Sequence, residues 1–222
     1  MLAKGHALTG AAAFLAVGPL VTTDAAQLAV GTLLCAGAAT VPDIDHPAST
    51  VSRTGGFATQ AVGAAVRVAA GGHRQATHSL LFVAACTAAV HLFVIASADT
   101  TAAAVITGTL IAVAAPLIAK SFGGRLSFGA FFLAAAGSAF VIFDGHVPVG
   151  SWFTTAIGLG VFMHLIGDML TPEGVPLLWP VRHRFGVGLF TTAGAVEGIF
   201  TFFLAVGTLG LAVRAFQVTQ AV

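Results

Sequence analysis

His164 and Asp168 stand four residues apart in HLIGDMLTPEG, so on a helix both side chains leave the same face about one turn apart. An imidazole nitrogen and a carboxylate oxygen placed this way can both reach one divalent cation, each about 2.0 to 2.2 Å from zinc. The same spacing also suits an ordinary hydrogen-bonded pair. The setting brings the two readings level, because the pair occupies the end of an otherwise apolar stretch, where an unpaired Asp is expensive.

Two further stretches carry the same residue types. In PDIDHP, residues 42 to 47, Asp43 and Asp45 are held between Pro42 and Pro47, and two carboxylates this close repel unless a cation or a shared proton relieves them. Turn chemistry is the plainer alternative, and His46 could bind metal or orient an Asp. In GGHRQATHS, residues 71 to 79, Thr77 is a candidate helix N-cap, His78 projects from the first turn that follows, and His73 and Arg74 occupy the preceding loop. The Arg74 guanidinium suits a phosphate or a carboxylate. His6 precedes these stretches, and Glu197 lies in a late apolar run with no basic partner nearby in sequence, which makes it a candidate proton acceptor. Taken alone, any one of these histidines is equally a satisfied interfacial residue.

The chain that must position them is 222 residues long, 57% hydrophobic and only 8% charged. Soluble domains carry about 25% charged residues, so the class is an all-α, polytopic membrane bundle. Seven apolar stretches, 6–22, 25–41, 78–97, 102–119, 127–143, 151–169 and 191–213, compare with the roughly 20 residues a spanning helix needs, giving six to seven spans. Residues 1–22 also resemble a signal peptide, but Asp24 in a short polar turn before the next apolar run fits a helical hairpin. Between 53 and 74, Arg53, Gln60, Arg67 and Arg74 recur every seven residues, which predicts an interfacial helix near 56–69. The Pro- and Gly-rich connection 170–190 cannot be one regular helix, and its Trp179 suits the headgroup level. No second domain separates: 1–222 reads as one membrane unit, with 42–77 and 170–190 as its site-bearing connections. Cys35 and Cys86 lie in apolar runs and form no metal-binding pair.

Orientation follows from basic residues. With the N-terminus cytoplasmic, Lys4, Arg53, Arg67, Arg74, Lys120, Arg125, Arg182 and Arg184 fall inside and Arg214 outside, as the positive-inside rule expects. All the polar motifs then share the cytoplasmic side, while His91 and His146 fall away from it. A net charge of +1 with scattered Lys and Arg excludes a basic nucleic-acid face.

The N-terminal GH, PDIDHP followed by Ser49, GHRQATHSLL and HLIGDMLTPEGVPLLWPVRHRF together resemble the bacterial and phage family described as LexA-binding, inner-membrane-associated metal-dependent hydrolases. The resemblance covers most of the chain, and GAVEG, with Glu197, is a shorter match to the same family. It implies an inner-membrane protein with a catalytic metal and a cytoplasmic LexA-type regulator as partner. A more distant likeness links the HxxxD pair to zinc-dependent phospholipase C and P1-type nucleases. From the residues and the resemblance together, His6, Asp43, Asp45, His78, His164 and Asp168 are expected to hold one or two divalent ions. Zinc comes first, with manganese or iron as alternatives. Arg74 is expected to steady an anionic substrate and Glu197 or His73 to accept a proton, in hydrolysis of a phosphoester of membrane lipid. Two alternatives stand beside this: a membrane tether for the regulator with a purely structural metal, and a transporter of metal or a small solute.

Overall fold

The computed structural model describes residues 1–125 and 127–220. Its elements are α1 (Ala3–Val17), α2 (Ala25–Ala38), α3 (Thr50–Thr54), α4 (Gly56–Ala69), α5 (Leu80–Val90, continued by a π-helical turn to Ala96), α6 (Thr100–Ser121), α7 (Phe128–Phe143), α8 (Ser151–Met169) and α9 (Ala195–Gln220). Among the described residues there is no β-strand; one isolated bridge joins Val175 to Phe185 in the long connection after α8.

Helix ends account for acidic residues outside the three motifs. The carboxylates of Asp24 and Asp99 cap α2 and α6 by accepting from the amides of Gln27 and Ala102, at 2.8 and 2.9 Å. Asp144 pairs with His146 in an exposed loop, at 2.7 Å. Helix α5 begins two residues later than Thr77 predicts, because Ser79 is the residue whose side chain accepts from the amide of Phe82. Thr77 is thereby free for other work.

Each of the seven apolar stretches contains a helix, but four meet the length and composition needed to cross a membrane: Ala25–Asp45, Thr100–Ser121, Ser151–Met169 and Ala195–Gln220. Leu80–Ala96 and Phe132–Phe143 are shorter apolar helices. Helix α1 stops at Val17, where Gly18 and Pro19 open a 3₁₀ turn. Its 15 residues reach only about 22 Å at 1.5 Å per residue, against roughly 30 Å of hydrocarbon. The last stretch becomes helical at Ala195 rather than at 191.

Glycines set how closely the central helices approach. A methyl group at Gly10 of α1 would lie 2.5 Å from the Cys35 carbonyl oxygen of α2, and one at Gly160 of α8 would collide with the same carbonyl. Gly37 of α2 bears in the same way on the backbone of α6 at Leu110. With small residues at these crossings, α1, α2, α6 and α8 meet nearly backbone to backbone, as is common in lipid. Their interior holds Phe14, Leu28, Leu34, Ile111, Phe153 and Val161, all fully buried or nearly so. Helix α9 packs on α1 and turns Ile199, Phe202, Phe203 and Leu209 outward. A helix appears where the periodicity places it: α4 is largely exposed, and its one buried residue, Gly63, sits against the Ile44 carbonyl.

Candidate metal centre

Four elements bring the polar residues together at one end of the bundle. His6 comes from the first turn of α1, and Asp43 and Asp45 from a 3₁₀ turn, Val41–Asp45, that finishes α2. Thr77 and His78 come from a second 3₁₀ turn, Ala76–His78, ahead of α5, and His164 and Asp168 from the final turns of α8. His6, Asp45, His78, His164 and Asp168 are all 1% exposed or less. Their proximity rests on α1–α2–α8 packing and on Gly167, where an added methyl would lie 3.0 Å from His6 Nδ1. Because that space is kept, the His6 ring stacks on His164, with centroids 3.8 Å apart.

Hydrogen bonds fix which imidazole nitrogens are available. His164 Nδ1 lies 2.8 Å from the Ala39 carbonyl, which can only accept, so Nδ1 carries the proton. The Thr77 hydroxyl donates its one hydrogen to Asp45 Oδ2 at 2.6 Å. His78 Nδ1, 2.9 Å from the same hydroxyl, must therefore donate to it. In the neutral ring each histidine then presents a bare Nε2, and the two Nε2 atoms face one another at 3.2 Å. Asp43 Oδ1 lies 3.5 Å from one and 3.7 Å from the other, and Asp168 Oδ2 is 3.6 Å from both.

Such a convergence of acceptors is unfavourable unless something positive sits among them. The Arg74 guanidinium and the Met1 amine meet the Asp168 carboxylate, at 3.0 and 2.7 Å, and the facing Nε2 atoms leave room for a shared proton or a divalent cation. Among the described residues neither nitrogen of His6 makes a hydrogen bond, although its Nε2 lies 3.2 Å from Asp168 Oδ1, and Asp168 Oδ2 meets the Arg74 guanidinium, at 3.0 Å. Three overlapping donor groups, His6–Asp43–His164, Asp43–His73–His78 and His78–His164–Asp168, each have their ligand atoms within 4.8 Å of one another. The donor chemistry and the unpartnered His6 Nδ1 both fit a divalent metal, with Asp43 and the two facing histidines common to more than one group.

Asp45 departs from its expected place as a ligand. Both its oxygens are taken, Oδ1 by His73 Nδ1 at 2.6 Å and Oδ2 by Thr77, so it supports two histidines from behind rather than joining a donor group. His73 is 27% exposed and forms the open edge of the cluster. Arg74, held at a positive φ of 55°, sends its guanidinium to Asp168 Oδ2 at 3.0 Å and to Glu173 Oε2 at 3.6 Å. Glu173 is exposed, and its own backbone amide holds its carboxyl below the usual range. The Met1 amine also lies 2.7 Å from Asp168 Oδ1.

Glu197 is buried but outside the donor groups. Its two oxygens accept from the backbone amides of Leu2 and Ala193, each at 2.5 Å, which clamps the start of α1 to the start of α9. That engagement leaves the expected proton-acceptor role without a free oxygen. His46 accepts from the Ala48 amide, and His183 packs on Phe185 away from the cluster. Thr77 and Glu173 are the site residues that spacing alone does not pick out. Thr77 has the sequence setting of a helix cap, and Glu173 that of a turn residue.

The family model for the YdjM inner membrane protein matches residues 1–221. Inner membrane protein YdjM of Escherichia coli (strain K12) and its counterpart in Shigella flexneri are each 45% identical to the chain over 73 residues, 31% of this chain and 36% of the relative. The aligned part thus spans about a third of these curated relatives. No solved structure is significantly similar. The match along nearly the whole length settles the placement: this is an inner membrane protein that belongs to the YdjM family.

Proposed function

We propose that the chain is a metal-dependent hydrolase of the inner membrane, acting at the cytoplasmic face on a phosphoester of the phospholipid type. The observation that carries this reading is the meeting of His78 Nε2 and His164 Nε2 at 3.2 Å beside two carboxylates, in a cluster with an exposed edge. Multi-pass topology with a cytoplasmic N-terminus and six to seven crossing helices, the bilayer thinned around the shorter ones, belongs to the same reading.

His6, Asp43, His78, His164 and Asp168 would hold the cation, zinc before manganese or iron. When bound, it supplies Lewis-acid activation of water and of the scissile phosphoryl group. The remaining work falls to this chain's own residues. His73, oriented by Asp45 through Nδ1, offers Nε2 to take the proton of the attacking water. Arg74 neutralises a phosphoryl oxygen while Glu173 holds its other flank. Thr77 transmits the Asp45 carboxylate to His78 and keeps that ring in the ligating tautomer.

A structural site would be closed on all sides, whereas here His73 and Arg74 give the cluster a polar edge. The test is a phosphodiester and lipid hydrolysis screen of detergent-purified protein, metal-replete and chelated. Turnover that chelation abolishes is expected. Bound metal without turnover on any ester would contradict hydrolysis and favour the tether for a LexA-type regulator.

A further inference from the structure

Beside the metal cluster lies a second polar site that its chemistry does not use. A cavity of about 640 Å³ opens between the C-terminal end of α4, at Val68 to Gly71, and the connection after α8, where Trp179, Arg182 and Arg184 line it with Gln75. None of the lining residues is acidic. Arg184 is anchored by the carbonyls of Glu173 and Arg74, both 3.4 Å from its terminal nitrogens. Among the described residues neither Arg182 nor Arg184 has a carboxylate partner in ion-pair range. Two guanidiniums on one cavity without an anion repel each other, and their planar forks match phosphate oxygens. Trp179 and the exposed Val68 of α4 put an amphipathic ring and an apolar edge at the same rim, the surroundings of a lipid headgroup.

We propose that this cavity binds a phosphate-bearing anion, with Arg182 and Arg184 as its charged contacts and Trp179 as its wall. The site is separate from the metal cluster, with Arg74 between them: its backbone carbonyl faces Arg184 and its guanidinium faces Asp168. Binding here requires no metal, so the proposal does not depend on the hydrolase reading.

The test uses full-length protein in two arms, one titrated with inorganic phosphate in detergent, the other reconstituted in phosphatidylcholine nanodiscs with or without phosphatidylglycerol. Each arm is run with and without chelator, and metal content is measured on the same samples. Wild-type protein is expected to bind in at least one arm, chelated or not. R182Q is expected to weaken that binding about tenfold or more, and R182E to abolish it, since each removes a charge-assisted contact at an exposed position. R53Q, which removes an exposed arginine of α3 that does not line the cavity, is expected to leave it unchanged. A response to phosphatidylglycerol alone assigns a lipid headgroup, and a response in both arms assigns the phosphate group itself. No binding by the wild type, equal binding by R182Q, or an equal loss in R53Q would overturn the proposal.

Discussion

His78 and His164 point their Nε2 atoms at each other across 3.2 Å, and each ring has its Nδ1 proton committed elsewhere, to Thr77 and to the Ala39 carbonyl. Two bare ring nitrogens at that distance need a positive charge between or beside them. A proton can serve only while no cation is bound, which ties metal binding to proton release.

That linkage gives a pH dependence. A ligating histidine must be neutral, and its ordinary value is about 6.5, so protons compete with the metal increasingly below that pH. Apparent affinity for zinc is expected to fall as pH is lowered from about 7 to about 5, and calorimetry in buffers of different ionisation enthalpy is expected to show proton release on binding. Affinity that is flat over this range would exclude the histidines as ligands.

Thr77 holds His78 through a single hydroxyl that also reaches Asp45. Thr77→Val removes both contacts without changing the shape much and is expected to weaken metal binding about 10- to 100-fold, the usual effect of losing a ligand's support. Thr77→Ser keeps the hydroxyl and is expected to bind nearly as wild type. Competition against a chromophoric chelator measures both.

Asp45 and His73 are predicted to separate binding from turnover. Asp45→Asn keeps the metal stoichiometry, because Asp45 touches Thr77 and His73 and belongs to no donor group. His73→Ala removes a donor of the Asp43–His73–His78 group but leaves His78–His164–Asp168 whole, so it is expected to retain metal there while losing about 10²- to 10⁴-fold in hydrolysis, the usual contribution of a positioned base. Stoichiometric loss of metal in Asp45→Asn would restore that residue as a ligand.

Glu197 is predicted to matter for stability and not for metal. Glu197→Gln replaces one amide-accepting oxygen with a donor that cannot pair with the Leu2 or Ala193 amide, at a cost of about 1 to 3 kcal/mol. A lowered melting temperature with unchanged metal content is the expected result.

Much of the site was legible because burying charge in an apolar chain is expensive. His6, Asp43, His78, His164 and Asp168 stood out as polar residues at the ends of hydrocarbon-like stretches, and the structure gathers all five. The α4 helix was legible from its seven-residue polar recurrence, although in the structure its apolar residues Phe57 and Val68 are exposed as well. What spacing could not show was which carboxylate faces the two bare Nε2 atoms. Asp43 and Asp45 are two residues apart in a 3₁₀ turn, and only the tertiary positions of Thr77 and His73 decide that Asp45 turns toward them. Glu197 misled because its partners are backbone amides, which leave no mark in a sequence. Thr77 misled because Ser79, two residues on, is an equally good cap and takes that role.

The central claim is that His164 and Asp168 of α8 help bind a divalent metal. The most direct measurement is elemental analysis of purified wild-type protein and the His164→Ala/Asp168→Ala double variant, with the folding of each checked by helical circular dichroism. The account predicts bound zinc, or manganese or iron in its place, in the wild type and its loss from the folded variant. Equal metal content in the two proteins would contradict it.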